Sequence, residues 1–453
     1  MDRSDSPSAH TATADSVPER HAPQARPQGP FSFSPRLLLA TLLIALVTGS
    51  AGAGFLWSLE QVTRWRWAHP GCLLVLPVAG VAMGTLYRRW GKGAGRGTNL
   101  LLEAIRHPGT PVPARLAPFI LGSTLLTHLC GGSAGREGTA VQMGGGIAAW
   151  WIQRLGLPAD EQPGALQAGL AAGFGAVFGT PLAGAVFALE VDRLGRLRGS
   201  GLLPCLAAAF LGDSVCRLWG APHTHFQVGT LTHFGLWSTS LLLAQALALG
   251  VVSGGVARGF VEVLHRLTGL FQPLRPAWLT PVIGASAVLG LSGWLGTDAY
   301  LGLGITHPDP SAPSLVAAFH AGGATPWSWL WKLLLTALTL AAGFKGGEVT
   351  PLFFIGATLG HVVSPWLGLP VELGAALGFV AVFAGASNTP IACTLLGCEL
   401  FGWHWVPFLA AACTAAYLVS GHAGIYSSQL LSRPKWPRSR QHPDAGQTLG
   451  ELR

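Results

Sequence analysis

Two short segments of the chain carry the same pattern and place a carboxylate among apolar residues. Gly135-Arg136-Glu137-Gly138-Thr139-Ala140 aligns with Gly346-Gly347-Glu348-Val349-Thr350-Pro351 on a glycine, the glutamate and a threonine. A carboxylate in an apolar segment is costly, so it is kept for ion or proton movement. Two carboxylates at matched positions of two halves describe a transport site at a pseudo-symmetric interface. Each glutamate follows a glycine-rich stretch and precedes an apolar run, which is a loop opening a helix. The unpaired N–H groups of such an end carry partial positive charge, and glycine lets an anion approach the backbone closely. Ionised, Glu137 would occupy that end and exclude an anion; protonated, it would move aside carrying a proton. One side chain can thus couple the two movements.

A second repeat accompanies the first. Residues 172–181 resemble residues 381–390; each ends in Thr-Pro, and each proline is followed nine residues later by a glutamate, Glu190 or Glu399. The order of the two repeats is the same and their offsets nearly equal. The membrane region therefore divides into halves of about 35–220 and 221–430, between an N-terminal tail (1–34), rich in Pro, Ser, Ala and His and expected to be disordered, and a short polar tail (431–453). The Thr180-Pro181 and Thr389-Pro390 steps read as two further helix starts, so four N-termini are expected to converge on one anion.

The elements that must hold these residues are membrane helices. Half of the 453 residues are hydrophobic and only 11% are charged, against roughly 25% in a soluble domain. Apolar runs recur at 37–56, 73–87, 116–129, 166–189, 202–211, 236–256, 281–295, 330–344 and 371–400. Some are too short to span a bilayer and others too long and broken by Gly or Pro. The mixture predicts tilted, re-entrant and discontinuous helices. Glycine, at 62 residues, and the 17 tryptophans fit close helix packing and interfacial belts. Seven cysteines, an odd number without a CxxC, predict buried thiols. The charge of +8 lies in clusters, at Arg88, Arg89, Lys92 and Arg96, at Arg193, Arg196 and Arg198, and at Arg433, Lys435, Arg438 and Arg440. These place the loops that carry them, and both termini, in the cytoplasm. Nucleic-acid binding is excluded because there is no soluble basic domain.

Gly-Arg-Glu-Gly at 135–138, the Gly346–Pro351 segment and Gly421-His-Ala-Gly-Ile-Tyr426-Ser-Ser-Gln429 resemble motifs of the CLC family of chloride channels and proton-coupled anion antiporters. The resemblance spans about 91–429. It implies an all-α integral membrane protein with a CLC-type fold of two inverted repeats, forming homodimers with one pore per subunit. It implies Glu137 as the gate and proton carrier, an anion site that includes Gly135, Arg136, Gly138, Gly346 and Gly347, and Tyr426 as an anion ligand. Three departures follow. The family's Gly-Ser-Gly-Ile-Pro loop is replaced by Gly95-Arg-Gly-Thr-Asn-Leu, so Thr98 and Asn99 are the expected substitutes. Val191 stands where the chloride antiporters carry an internal glutamate. Val349 stands where the family has an anion-coordinating Phe, and Glu348 precedes it. All three resemble the fluoride-exporting branch, which implies Glu348 as a second, internal carboxylate and Thr350 as a fluoride or proton ligand. Fluoride is compact and basic and gains most from hydroxyl and carboxylic acid donors.

The expected function is fluoride/proton antiport across the inner (plasma) membrane. The partners are fluoride or chloride, protons, the bilayer and a second copy; no cofactor or metal is expected. A chloride-selective antiporter or passive channel is the alternative. A membrane enzyme using two carboxylates is the remote one, since no metal constellation or nucleophile elbow is present. Arg136 reads as a loop anchor, Glu190 and Glu399 as residues that close helices near an interface, and His422 as a structural histidine near Tyr426. His223 and His225 make a poor metal pair.

Overall fold

The structure, a computed structural model, describes residues 34–197, 199–229, 236–436 and 446–452. The tail expected at 1–34, apart from Ser34, and the basic residues Arg198, Arg438 and Arg440 lie outside the described residues. The chain is helical, as expected: α1 (Pro35–Ala68), α2 (Leu76–Trp90), α3 (Thr98–Arg106), α4 (Leu116–Leu129), α5 (Glu137–Leu155), α6 (Gln162–Phe178), α7 (Pro181–Glu190), α8 (Leu202–Leu218), α9 (Leu236–Phe271), α10 (Leu279–Leu295), α11 (Ser328–Ala341), α12 (Val349–Leu367), α13 (Val371–Ser387), α14 (Pro390–Phe401) and α15 (Val406–Val419). Two-residue strands β1 (Arg193–Leu194) and β2 (Leu430–Leu431) pair in parallel and fasten the C-terminal segment to the body. By length and composition, 35–68, 70–90, 238–271 and 349–367 are long and apolar enough to cross a membrane; other apolar helices are shorter.

The broken runs of the sequence break where backbone chemistry requires. The run 166–189 ends α6 at Gly179, in the left-handed region at φ 72°, and restarts at Pro181 as the first residue of α7. The run 371–400 does the same with Asn388, φ 60°, before Pro390. A left-handed residue closes each helix, and a proline, which needs no N–H partner at a helix start, opens the next.

The helix lengths form two matching series. α1, α2, α4, α5, α6 and α7 have 34, 15, 14, 19, 17 and 10 residues. The helices α9 to α14 have 36, 17, 14, 19, 17 and 12. The packing corresponds too. On α5 a Cβ at Gly144 would meet the Gly169 carbonyl of α6 at 2.0 Å; on α12 a Cβ at Gly360 would meet the Gly374 carbonyl of α13 at 1.9 Å. In both places backbone rests on backbone, which only glycine permits. All seven cysteines are free, six of them buried.

Candidate functional site

The two carboxylate segments meet directly. Gly135 N donates to Gly347 O at 2.6 Å and Gly347 N donates to Gly135 O at 2.8 Å, an antiparallel bridge between the repeated sequences. Glycine is required on both sides. A Cβ at Gly135 would lie 2.8 Å from Thr350 Oγ1 and from Pro351 Cδ, and one at Gly138 would lie 2.9 Å from Gly347 Cα.

Glu137 is the first residue of α5 and is 1% exposed. Thr350 Oγ1 donates to its Oε2, and Arg136 Nε donates to its Oε1 at 3.2 Å. Thr350 Oγ1 also accepts from Arg136 N at 3.2 Å. That acceptance fixes the hydroxyl's direction, so its proton points at Glu137. The carboxylate is therefore held by donors on both oxygens.

The segment between α4 and α5 rests on a buried polar network. Gly132 N donates to Thr127 O at 2.8 Å, and Ser133 N donates to Thr339 Oγ1 at 3.1 Å. Ser133 Oγ lies 3.0 Å from Tyr300 O and 2.9 Å from Thr336 Oγ1, and Ala134 N donates to Gly302 O at 3.4 Å. His128 binds Thr124 O and Ala134 O through its two ring nitrogens, at 2.8 and 3.0 Å.

Three spaces surround the bridge. A cavity of about 420 Å³, lined by Glu60, Arg64, Arg136, His223 and Thr224 among others, opens on one side. Arg136, Thr224 and Ile305 also line a neighbouring pocket of about 20 Å³ that contains Glu137 and Thr350 and is walled by Phe178, Phe353 and Phe379. That is room for about one water-sized sphere. A third cavity, of about 410 Å³, is lined by Thr98, Asn99, Gln142, Lys345, Glu348 and Tyr426 among others. The small pocket and this last cavity share no lining residue. Both ends are open and the centre is closed.

The predicted residues separate accordingly. Glu137, Arg136 and Thr350 face the Arg136 side. Thr98, Asn99, Gly346, Glu348 and Tyr426 face the other. A Cβ at Gly138 would be 3.6 Å from Glu348 Oε2, so the second carboxylate lies just across the bridge. Asn99 Oδ1 accepts from Ser428 N at 2.9 Å, tying the start of α3 to the Tyr426 segment. Gly135 and Gly347 build the bridge and Gly138 packs against it, while Val349 is buried and lines none of the three spaces. Of the residues outside the expected set, the aromatic wall and the network around Ser133 were missed. His128 and Lys332, lone basic residues inside apolar runs, were the available signal.

One expectation is corrected. The four helix starts do not converge on one anion, because two already hold carboxylates. Glu190 accepts from Ile391 N at 3.1 Å and Ala392 N at 2.8 Å, at the start of α14. Glu399 accepts from Leu182 N at 3.0 Å and Ala183 N at 2.8 Å, at the start of α7. The two helices run antiparallel and each caps the other. His422 Nε2 accepts from Lys435 N at 3.1 Å, which ties the C-terminal segment to the body. His223 binds Ala176 O at 2.9 Å, and no group of three metal-ligating side chains occurs among the described residues.

Residues 79–421 match the family model described as voltage gated chloride channel. The chain is 45% identical over 404 residues to the chloride/fluoride channel protein of Pseudomonas syringae pv. tomato, covering 87% of this chain and 86% of that one. It is 26% identical over 424 residues to the H(+)/Cl(-) exchange transporter ClcA of Yersinia pseudotuberculosis, covering 87% of each. Among solved structures it resembles a CLC-type fluoride/proton antiporter with a TM-score of 0.81 at 34% identity, covering 87% of this chain and 97% of the other. A slow cyanobacterial Cl-/H+ antiporter shares the fold at a TM-score of 0.71 and 20% identity. With its helices, its paired glutamate segments and these likenesses, the chain belongs to the voltage gated chloride channel (CLC) family of membrane anion transporters.

Proposed function

We propose that this protein exchanges fluoride for protons across the plasma membrane. The observation that carries the reading is the placement of two carboxylates on either side of the Gly135–Gly347 bridge, each facing a separate cavity. The Tyr426 cavity, lined also by Arg96 and Lys345, faces the cytoplasm on the positive-inside argument. The Arg136 cavity then faces outward. The same proposal takes 35–220 and 221–430 as two inverted repeats, which would account for contacts exchanged in both directions at the bridge and at the α7/α14 caps.

The mechanism uses groups already in contact. Ionised Glu137 occupies the donors of Thr350 and Arg136 and closes the path. A proton arriving through the Arg136 cavity neutralises it, weakening both bonds, since hydrogen bonds to a charged acceptor are roughly twice as strong as neutral ones. The side chain leaves, and an anion from the Tyr426 cavity takes its place on the same hydroxyl and N–H groups. Glu348, across the bridge, receives the proton and releases it to the cytoplasmic cavity. Fluoride suits these donors better than chloride because it is smaller and a stronger acceptor. Thr98, Asn99 and Tyr426 would hold the anion on its way in. The unit is taken to be a homodimer, to be tested by its mass in detergent.

Reconstitution in liposomes tests the reading. An outward fluoride gradient should drive proton uptake, chloride should do so far less, and Glu137→Gln should lose the coupling. Fluoride and chloride fluxes of equal size without proton movement would instead favour a passive channel, the reading closer to the name of the Pseudomonas relative.

A further inference from the structure

Lys332, on α11, is fully buried. Its ammonium donates to Tyr300 O at 3.1 Å and Gly302 O at 2.8 Å and lies 5.4 Å over the Phe354 ring. It makes no ion pair among the described residues, and the buried Arg66 guanidinium adds repulsion. A buried cation without a carboxylate is expensive, and methionine would fill the same volume without that cost. The residue at the same position of α4, the matching 14-residue helix, is Ile120. What distinguishes Lys332 is its choice of acceptors. Tyr300 O is the carbonyl bound by Ser133 Oγ, and Gly302 O is the carbonyl bound by Ala134 N. Ser133 and Ala134 belong to the segment that delivers Glu137. The ammonium and that segment therefore share the same two carbonyls. Beyond them the same loop supplies Ile305 to the wall of the Glu137 pocket.

We infer that Lys332 is a positioning residue for the Glu137 segment. It holds the Tyr300–Gly302 loop so that its carbonyls fix Ser133 and Ala134, and through them the start of α5 against Thr350. Its transport consequence rests on the antiport reading; its structural consequence does not.

The full-length protein tests this with Lys332→Met, Lys332→Arg and Ser133→Ala. Amide hydrogen exchange in detergent reads the segment directly. In Lys332→Met, amides of 131–137 should exchange about tenfold faster, the protection lost with roughly one hydrogen bond, while α6 and α13 are unchanged. In liposomes the same variant should move fewer protons per fluoride than wild type, because a loosened Glu137 lets anions leak past. Lys332→Arg, which can still donate to both carbonyls, should recover part of the ratio. Unchanged exchange in 131–137, or an unchanged proton-to-fluoride ratio in a variant whose flux persists, would overturn the inference. If Lys332→Met does not fold, Ser133→Ala cuts the same contact from the other side; it should show the same faster exchange, and its failure to do so would be equally decisive. If wild type moves fluoride without protons, the antiport reading fails and the exchange experiment still decides the role of Lys332.

Discussion

The two glutamate segments begin from one sequence design and end in opposite surroundings. The segment before Glu137 has its amides and carbonyls bound by Thr127, His128, Thr339 and Gly302, and the carboxylate itself is almost fully buried. Among the described residues, the segment before Glu348 makes fewer polar contacts, although Phe344 is buried and Lys345 lies over the Tyr87 ring. Lys345 reaches Gly95 O at 3.4 Å, Gly347 closes the bridge, and the carboxylate stands in the wall of a 410 Å³ cavity. On the proposed mechanism, what is packed around the two copies of the pattern gives them different jobs. The clamped copy can act as a stop, because it has one position to return to. The open copy can exchange protons with water, because it faces a space large enough to hold water.

The largest expected effect breaks the comparison at its clamped side. Glu137→Gln keeps the size and one acceptor oxygen but cannot carry a proton, and coupled proton uptake should fall by at least ~100-fold. Glu348→Gln should also impair coupling, by a smaller factor of ~10, since water in its cavity offers protons another route. Parallel fluoride and pH-electrode records on proteoliposomes compare the two; equal losses would show that burial does not distinguish their roles.

Next in size is the bridge. Gly135→Ala places a methyl against Thr350 and Pro351 at 2.8 Å, in backbone that has no freedom to withdraw. Overpacking of this kind costs about 1–3 kcal/mol. Melting in detergent should report that loss, and fluoride flux should drop by ~30-fold as Thr350 is pushed off Glu137. Gly343→Ala, where a Cβ meets nothing but φ is 90°, serves as the comparison: strain without collision should leave most of the flux.

Much of this was legible before any coordinates. Glycine flanking a glutamate inside an apolar run announces both a helix start and a costly charge, so the paired segments stood out. So did the breaks at Gly179 and Asn388, because Thr-Pro follows each. What sequence did not reveal were partners far apart in the chain. Ser133 is more than 160 residues from Tyr300 and more than 200 from Thr336, and nothing local to a serine names them. Lys332 and His128 were visible as lone basic residues in apolar runs, but their acceptors are backbone carbonyls, which every residue possesses. The expected convergence of four helix starts failed for a related reason. Glu190 and Glu399 share a nine-residue spacing from their prolines, yet only an antiparallel pairing of α7 with α14 turns that spacing into mutual capping.

A finer test separates charge from shape at the clamp. Thr350→Val keeps the volume and removes the hydroxyl, leaving Arg136 N and one oxygen of Glu137 without this partner. Fluoride flux should fall about tenfold, the equivalent of one hydrogen bond to a charged group, and Thr350→Ser should restore it. Flux kept in Thr350→Val but lost in Thr350→Ser would mean that the methyl group, not the donor, is what Thr350 supplies.

The smallest effect on transport is expected where two carboxylates also meet helix starts but face no cavity on the route. Glu190 and Glu399 line neither the Glu137 pocket nor the Tyr426 cavity, and among the described residues their hydrogen bonds are to backbone N–H of the opposite helix. Glu399→Gln keeps one acceptor oxygen and loses the charge at the start of α7, so stability should fall by about 1 kcal/mol while fluoride flux and its proton ratio stay within twofold. Glu190→Gln should do the same at α14, and because each cap sits on a different helix end the two losses should nearly add in the double variant. Melting temperatures of the four proteins measure this. A double variant that keeps its stability but loses coupling would place these glutamates on the proton route and end the distinction drawn between acids that move protons and acids that hold helices.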